Sequence, residues 1–208
     1  MRGASRWQYF FYCWLARALW RLWGGRFEIV GRENLPRTGA CLLIANHQSY
    51  LDPPFLHAIV PRILHPMAKS TQFASKLMGF LLAHVYTFPV RRYQTDPQAV
   101  RTVLRRLDAG CAVMIYLEGE RTWDGRLQPP RLGVIRLVLK AGVPVIPVRI
   151  DGSYEVWPRW ARRPRPGTMR FAFGEPMVFP KLDVRRERDA AAPAARARLL
   201  AALKGPRD

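Results

Sequence analysis

The chain has 208 residues, of which 49% are hydrophobic and 24% charged, an ordinary globular balance with enough length for one domain and a sizeable core. Its charge is unusual: 34 basic residues against 15 acidic, a net +19, a field that draws polyanions such as nucleic acid, an anionic membrane surface or phosphorylated substrates, although base composition alone can also produce an arginine excess. Cys13, Cys41 and Cys111 form no metal-ligand spacing, and an odd, scattered count argues against a disulfide framework, so a reducing compartment is expected.

Residues 1–27 carry five arginines and no acid, with eight aromatics between Trp7 and Trp23. Trp7, Phe10, Phe11, Trp14, Ala18 and Leu22 repeat at helical spacing, which predicts a helix with an aromatic stripe. Rings mixed with arginines suit a membrane interface; a helix packed on the protein's own core is the other reading. The mostly apolar run from Trp7 lasts ten residues before Arg17, and no small-residue cleavage site follows. It reads neither as a secretory signal nor as a span, which needs about 20 apolar residues. The run from Leu77 to Val90 is 14 long and contains His84 and Pro89, so it is no span either.

CLLIAN (41–46) reads as a buried strand. A helix follows near DPPFLHAIV, with Asp52 before two prolines as a good N-cap. YTFPV (86–90) is a short strand in which Pro89 marks an edge or an end. Asp96–Pro97 opens a helix whose apolar face is Val100, Val103, Leu104 and Leu107, ended by Gly110. CAVMIYL (111–117) is a continuous apolar strand. Pro129–Pro130 open another helix reaching Leu139, with Gly142 as terminator. VPVIPVRI (143–150) is the next strand, TMRFAFGEPMVF (168–179) one more strand and its exit, and Ala190 to Lys204 a terminal helix. The alternation predicts an α/β fold: a single domain (28–208) with a largely parallel, mixed sheet flanked by helices, after an N-terminal interfacial segment (1–27).

In parallel sheets ligands bind beyond the carboxyl ends of strands. His47 follows the first strand, Arg91 and Arg92 the second, and Glu118, Gly119, Glu120 and Arg121 the third. If the strands are parallel, one rim gathers a base, a carboxylate and three guanidiniums. His47 and Asp52 lie five residues apart, about 140° around a continuous helix. They meet only if His47 sits in the strand-to-helix turn. There the carboxylate takes the Nδ1 proton and leaves Nε2 as a base; without that partner His47 reads as a structural histidine. No Ser or Cys stands in a nucleophile elbow and no metal-ligand cluster is present. A His–Asp pair without a protein nucleophile points to activation of a substrate hydroxyl, and the arginines to a phosphate on that substrate.

The segments GRENLPRTGACLLIANHQSYLD, FPVRR, LEGERTWDG and VPVIPV resemble, in order and spacing, the four blocks of the glycerolipid acyltransferase family with the HxxxxD motif, which contains the lysophosphatidic acid acyltransferases. The resemblance covers about residues 31–150. It implies that His47 is the base and Asp52 its orienting partner. Arg91 takes the place of the second-block arginine, with Arg92 beside it, and Arg121 that of the third, tied to acceptor phosphate. Glu118 and Gly119 match the acid and glycine of the third block, and Pro147 the proline of the fourth. The resemblance further implies acyl transfer from acyl-CoA or acyl carrier protein to a lyso-glycerophospholipid, foremost lysophosphatidic acid, without cofactor, metal or nucleic acid. The short apolar run, rings and arginines of residues 1–27 separately predict a peripheral position on the cytoplasmic face of a membrane. Two features depart from the pattern: EGER replaces the usual EGTR, placing Glu120 by the phosphate site, and the second block lacks its opening glycine near His84–Val85. Another lyso-lipid acceptor is the alternative among enzymes. A non-catalytic basic module is the rival from another class, favoured by the acid-free stretch 157–170, though no nucleic-acid motif accompanies it.

Overall fold

Every residue of β2 (Cys41–Ala45) is buried, because side chains alternate along a strand and both faces of this one are covered. Leu43 and Ala45 join an apolar cluster with Trp20, Phe55, Leu56 and Ile59. Leu42 and Ile44 join another with Val103, Leu107, Ile135, Leu139, Leu199 and Leu203. A strand buried on both faces reads in sequence as an unbroken apolar run, and this one does. The computed structural model describes residues 5–204; the outermost four residues of the expected segments 1–27 and 28–208, Arg2 among them, lie outside the described residues.

Around β2 stand β1 (Arg26–Val30), β3 (Leu64–Lys69), β4 (Phe88–Val90), β5 (Ala112–Tyr116), β6 (Val145–Asp151) and β7 (Thr168–Phe173), in the order β1-β7-β6-β2-β5-β3-β4. β2 pairs in parallel with β5 and β6, β5 with β3, and β3 with β4. β7 runs antiparallel to β6 and parallel to β1. The sheet is therefore mixed but mostly parallel, as expected. The first apolar cluster lies beneath α1 (Arg6–Leu22) and α2 (Asp52–Ile59), the second beneath α4 (Pro97–Asp108), α5 (Leu132–Ala141) and α7 (Arg185–Lys204). α3 (Lys76–His84) buries no residue, and α6 (Ser153–Val156) is a single turn.

Several boundaries differ from expectation for identifiable reasons. α5 begins at Leu132, not at Pro129: the residue before a proline avoids the helical region, and the Arg131 amide donates to Leu117 O at 2.9 Å, holding the lead-in against the end of β5. α7 begins at Arg185, five residues before Ala190, with Arg136 and Arg185 paired to Asp189 one turn in. β1, β3 and α3 were not foreseen. In β3, His65 and Pro66 break the apolar pattern. Leu64–Pro66 pair with β5 and Met67–Lys69 with β4, so the proline stands where the strand changes partner.

α1 packs one face on the protein's own core and leaves its aromatic stripe exposed on the other. Tyr9, Cys13 and Trp20 are buried, and Trp20 packs on Phe55 and Phe27 with centroids 5.0 and 6.1 Å away. The stripe on the other side faces out: Trp7 is 87% exposed, Trp14 57% and Leu22 84%. At 3.6 residues per turn the two sets lie about 160° apart. Residue 27 is consequently no seam, because the inner face of α1 is part of the domain's core.

Candidate active site

Continuing the register Ala45↔Tyr116 by two residues sets His47 beside Glu118, and backbone bonds fix it there. The His47 amide donates to Glu118 Oε1 at 2.7 Å, and its carbonyl accepts from the Thr122 amide at 2.8 Å. Asn46 clasps β6, donating to Ile150 O at 2.8 Å and accepting from Ile150 N at 2.7 Å. His47 thus lies in the strand-to-helix turn, and Nδ1 meets Asp52 Oδ2 at 2.8 Å. A carboxylate only accepts, so Nδ1 carries the proton and Nε2 keeps a lone pair.

Asp52 does not cap α2, contrary to expectation. The N-cap is Leu51, with no side-chain bond. Asp52 Oδ2 instead turns back, accepting from the Gln48 and Ser49 amides at 2.7 and 2.8 Å. Pro53 and Pro54 have no N–H, so two of the four donors that a helix start leaves unpaired are absent. The carboxylate is thereby released to organise the turn. His47 is 6% and Asp52 0% exposed. Burial lowers the His47 pKa below the ordinary value; Asp52 opposes this, and the Arg121 and Arg92 charges add to the lowering. The imidazole is held neutral, the form a base requires.

The remaining expected residues divide. Arg121 lies over the Tyr50 ring, 3.3 Å from its centroid, and its Nη1 is buried without a hydrogen-bond partner. Arg92 is partly buried, in the field of Glu120, Arg121 and Arg131. Arg91 turns away: its amide and Nε approach Asp96 Oδ2 at 2.8 and 3.5 Å, and its side chain is 53% exposed. The structure thus brings Arg92, and not Arg91, into the field at His47. The strand ends at Val90, and what separates the two adjacent arginines is the Asp96 carboxylate, which holds the backbone and side chain of Arg91.

Glu118 is 2% exposed, and its second oxygen accepts from the Gln128 amide at 2.8 Å. Both oxygens are taken up by backbone, so this side chain braces His47 from behind and offers nothing outward, a correction to its expected place among substrate contacts. Burial raises its pKa to about 7. Gly119 has φ 73°, and a Cβ there would meet Arg131 Cγ at 3.0 Å. Glu120, the departure from EGTR, bonds to Arg131 Nη2 at 2.7 Å and accepts from the Tyr93 hydroxyl at 3.1 Å. Its charge is absorbed by an arginine that sequence reading had not placed near it.

Asn46, Thr122 and Tyr116 were missed. The Tyr116 ring stacks on the His47 imidazole, centroids 3.8 Å apart and planes 13° apart, and its hydroxyl is buried without a partner. It read in sequence only as the end of an apolar strand. A cavity of about 880 Å³ opens beside it between α4 and α5, with Arg92, Gly119 and Tyr116 in its wall together with Val100, Leu104 and Leu137.

The family model described as Acyltransferase matches residues 26–151. A chloroplastic 1-acyl-sn-glycerol-3-phosphate acyltransferase of Brassica napus is 31% identical over 136 residues, 63% of this chain and 39% of that protein. The 1-acyl-sn-glycerol-3-phosphate acyltransferase of Bacillus subtilis is 27% identical over 154 residues, 74% of each chain. The chain thus spans about two fifths of the plant relative's length. The crystal structure of the 1-acyl-sn-glycerophosphate acyltransferase PlsC from Thermotoga maritima superposes with a TM-score of 0.70 at 21% identity, covering 90% of this chain and 76% of that one, so the two share a fold.

Proposed function

The chain belongs to the acyltransferase family, and on that premise we propose that it transfers a fatty acyl chain from a thioester donor to the free hydroxyl of lysophosphatidic acid, giving phosphatidic acid. His47 Nε2 takes the hydroxyl proton as the oxygen attacks the thioester carbonyl. The carbon–sulfur bond then breaks, and the departing sulfur recovers the proton from the imidazolium. Asp52 holds the tautomer and stabilises the transient cation. Arg121 and Arg92 receive the acceptor's phosphate. The observation that carries this reading is the unpartnered, buried Nη1 of Arg121 in the field of a neutral histidine oriented by Asp52. The relatives' names supply the acceptor. With Glu120 bonded to Arg131 and Tyr93, EGER gives no reason to prefer another lyso-lipid. The donor's carrier, coenzyme A or carrier protein, belongs to the proposal only as a thioester.

The test is thioester consumption that depends on added lysophosphatidic acid; consumption that ignores the acceptor would refute the transfer. Its pH profile adds a check. A lowered His47 pKa keeps the base form below the ordinary histidine value of about 6.5, so the acid limb of kcat/KM is expected below that pH. Asp52→Asn removes the influence that raises the pKa and should move the limb further down while activity falls. A limb at or above about 6.5 would assign it to another group.

We further propose a peripheral position on the cytoplasmic face of a membrane, through the outer face of α1. No helix among the described residues is long and apolar enough to cross a membrane. The exposed Trp7, Phe11 and Trp14 can bury rings at the interface, and nearby arginines add about 1 kcal/mol each near anionic headgroups, screened by salt. Deleting α1 would remove Tyr9 and Trp20 from the core, so substitution is the cleaner test. Trp7→Ser, Phe11→Ser and Trp14→Ser together should weaken sedimentation with anionic vesicles by about tenfold or more. Unchanged sedimentation would move the contact elsewhere, first to the basic stretch 157–170.

A further inference from the structure

On the side of α2 away from the sheet lies a second cavity, of about 250 Å³, between α1 and α3. Its walls are mainly hydrocarbon: Cys13 and Ala16 from α1, Pro53 and Pro54 from α2, Leu81 and Leu82 from α3. His57 belongs to the wall as well, 4% exposed, with Nε2 buried and without a partner. The proton on that nitrogen follows from its neighbours. The Tyr9 hydroxyl accepts from the Leu64 amide at 3.2 Å, so its own hydrogen is available. It lies 2.8 Å from His57 Nδ1 against 3.5 Å from Arg62 O. Donation to Nδ1 is the better bond, which leaves the hydrogen of a neutral imidazole on Nε2. Burial lowers the His57 pKa to about 3, so the ring stays neutral at physiological pH. Thr87 and His84 also belong to the wall, the latter with its Nδ1 engaged by Phe80 O at 2.8 Å, and His57 Nε2 is the uncharged buried N–H there that has no partner.

Size and surroundings narrow the occupant. A cavity of ~150 Å³ houses benzene, so this one has room for about ten carbons. A water there would want two to four polar partners, which such walls do not favour. The mouth is continuous with exposed apolar surface, because Tyr12 and Leu81 line the groove and are themselves 37% and 42% exposed, and Leu77 and Phe80 on α3 face out beside them. We propose that this groove binds the hydrocarbon chain of a monoacyl ester lipid drawn from the bilayer, with His57 Nε2 donating to the ester carbonyl. His57 stands five residues beyond Asp52 on α2, about 7.5 Å along the axis and on a different face. The lipid so held is of the same chemical class as the proposed acceptor, on a separate side of the helix from the catalytic pair. The inference rests on the membrane-contacting reading of α1, but its test does not require acyl transfer.

The test is equilibrium binding of methyl decanoate and of decyl methyl ether, which differ by the carbonyl, to the full chain without bilayer. The ester should bind about fivefold more tightly, the worth of one neutral hydrogen bond. His57→Phe should abolish that preference. Leu81→Trp, at the exposed rim of α3 and remote from the core, should weaken both ligands about tenfold by filling the mouth. His47→Ala, which stops the proposed chemistry, should leave both affinities unchanged, separating failure of the groove from failure of the acyltransferase reading. Equal binding of ester and ether by the unaltered protein, or indifference of both ligands to Leu81→Trp, would overturn the proposal.

Discussion

Purified His47→Ala is expected to lose acyl transfer by a factor of about 10²–10⁴, the usual worth of general-base help, while remaining folded. The backbone of residue 47 is held through its amide by Glu118 and through its carbonyl by Thr122, and neither bond involves the imidazole. Asp52 Oδ2 keeps the Gln48 and Ser49 amides, so the turn survives removal of the ring. What disappears is the Nε2 lone pair, and no second base stands in its place: His57 faces another cavity, and Glu118 is closed in by two backbone donors. Asp52→Asn should fall between the variant and the unaltered protein. An amide oxygen can still accept from Nδ1, but it no longer steadies the imidazolium. Circular dichroism and a thermal melt establish folding, and initial rates at saturating donor give the loss. Near-normal turnover by folded His47→Ala would remove the histidine from the mechanism.

The features readable in the sequence are those whose physics is local. CLLIAN, CAVMIYL and VPVIPVRI announce β2, β5 and β6 because strands covered on both faces have no polar alternation to obscure them. Asp96–Pro97 announces α4 because a cap and a fixed φ act within one turn, and the Asp96 side chain does accept from the Ala99 amide, at 3.1 Å. The meeting of His47 with Asp52 was legible as a conditional, and the turn supplies its condition. What escaped depends on register between distant segments. β3 takes its place from two different neighbours on either side of Pro66, which no window of sequence contains. Glu118 read as an outward carboxylate because its strand ends there; only the pairing of β2 with β5 reveals that His47 and Gln128 enclose it. Arg91 and Arg92 were indistinguishable as letters, and the Asp96 carboxylate five residues on from Arg91 is what turns that one aside. Exposure of α1 is legible only in part, since its aromatic content exceeds what one face can hold and both faces are in use.

That distinction between the arginines sets up the second large effect. Arg121→Ala is expected to raise the KM for lysophosphatidic acid by about 10- to 150-fold, equivalent to the 1.5–3 kcal/mol of a charge-assisted contact, with little change in the donor's KM. Its Nη1 is already buried without a partner, so the desolvation of that group is in place before the phosphate arrives. The Tyr50 ring holds the guanidinium plane from one side, which limits the order still to be lost on binding. Arg92→Ala should act in the same direction, since it shares the field at His47; removing either charge should also raise the His47 pKa and move the acid limb of kcat/KM upward. Arg91→Ala should leave the acceptor's KM nearly unchanged, because its side chain is half exposed and engaged with Asp96. A monoacylglycerol, which lacks the phosphate, provides the internal control: its poor turnover should be indifferent to Arg121→Ala. If Arg121→Ala impairs only the donor, or if Arg91→Ala proves the more damaging of the two, the phosphate does not lie where the orphaned guanidinium nitrogen points.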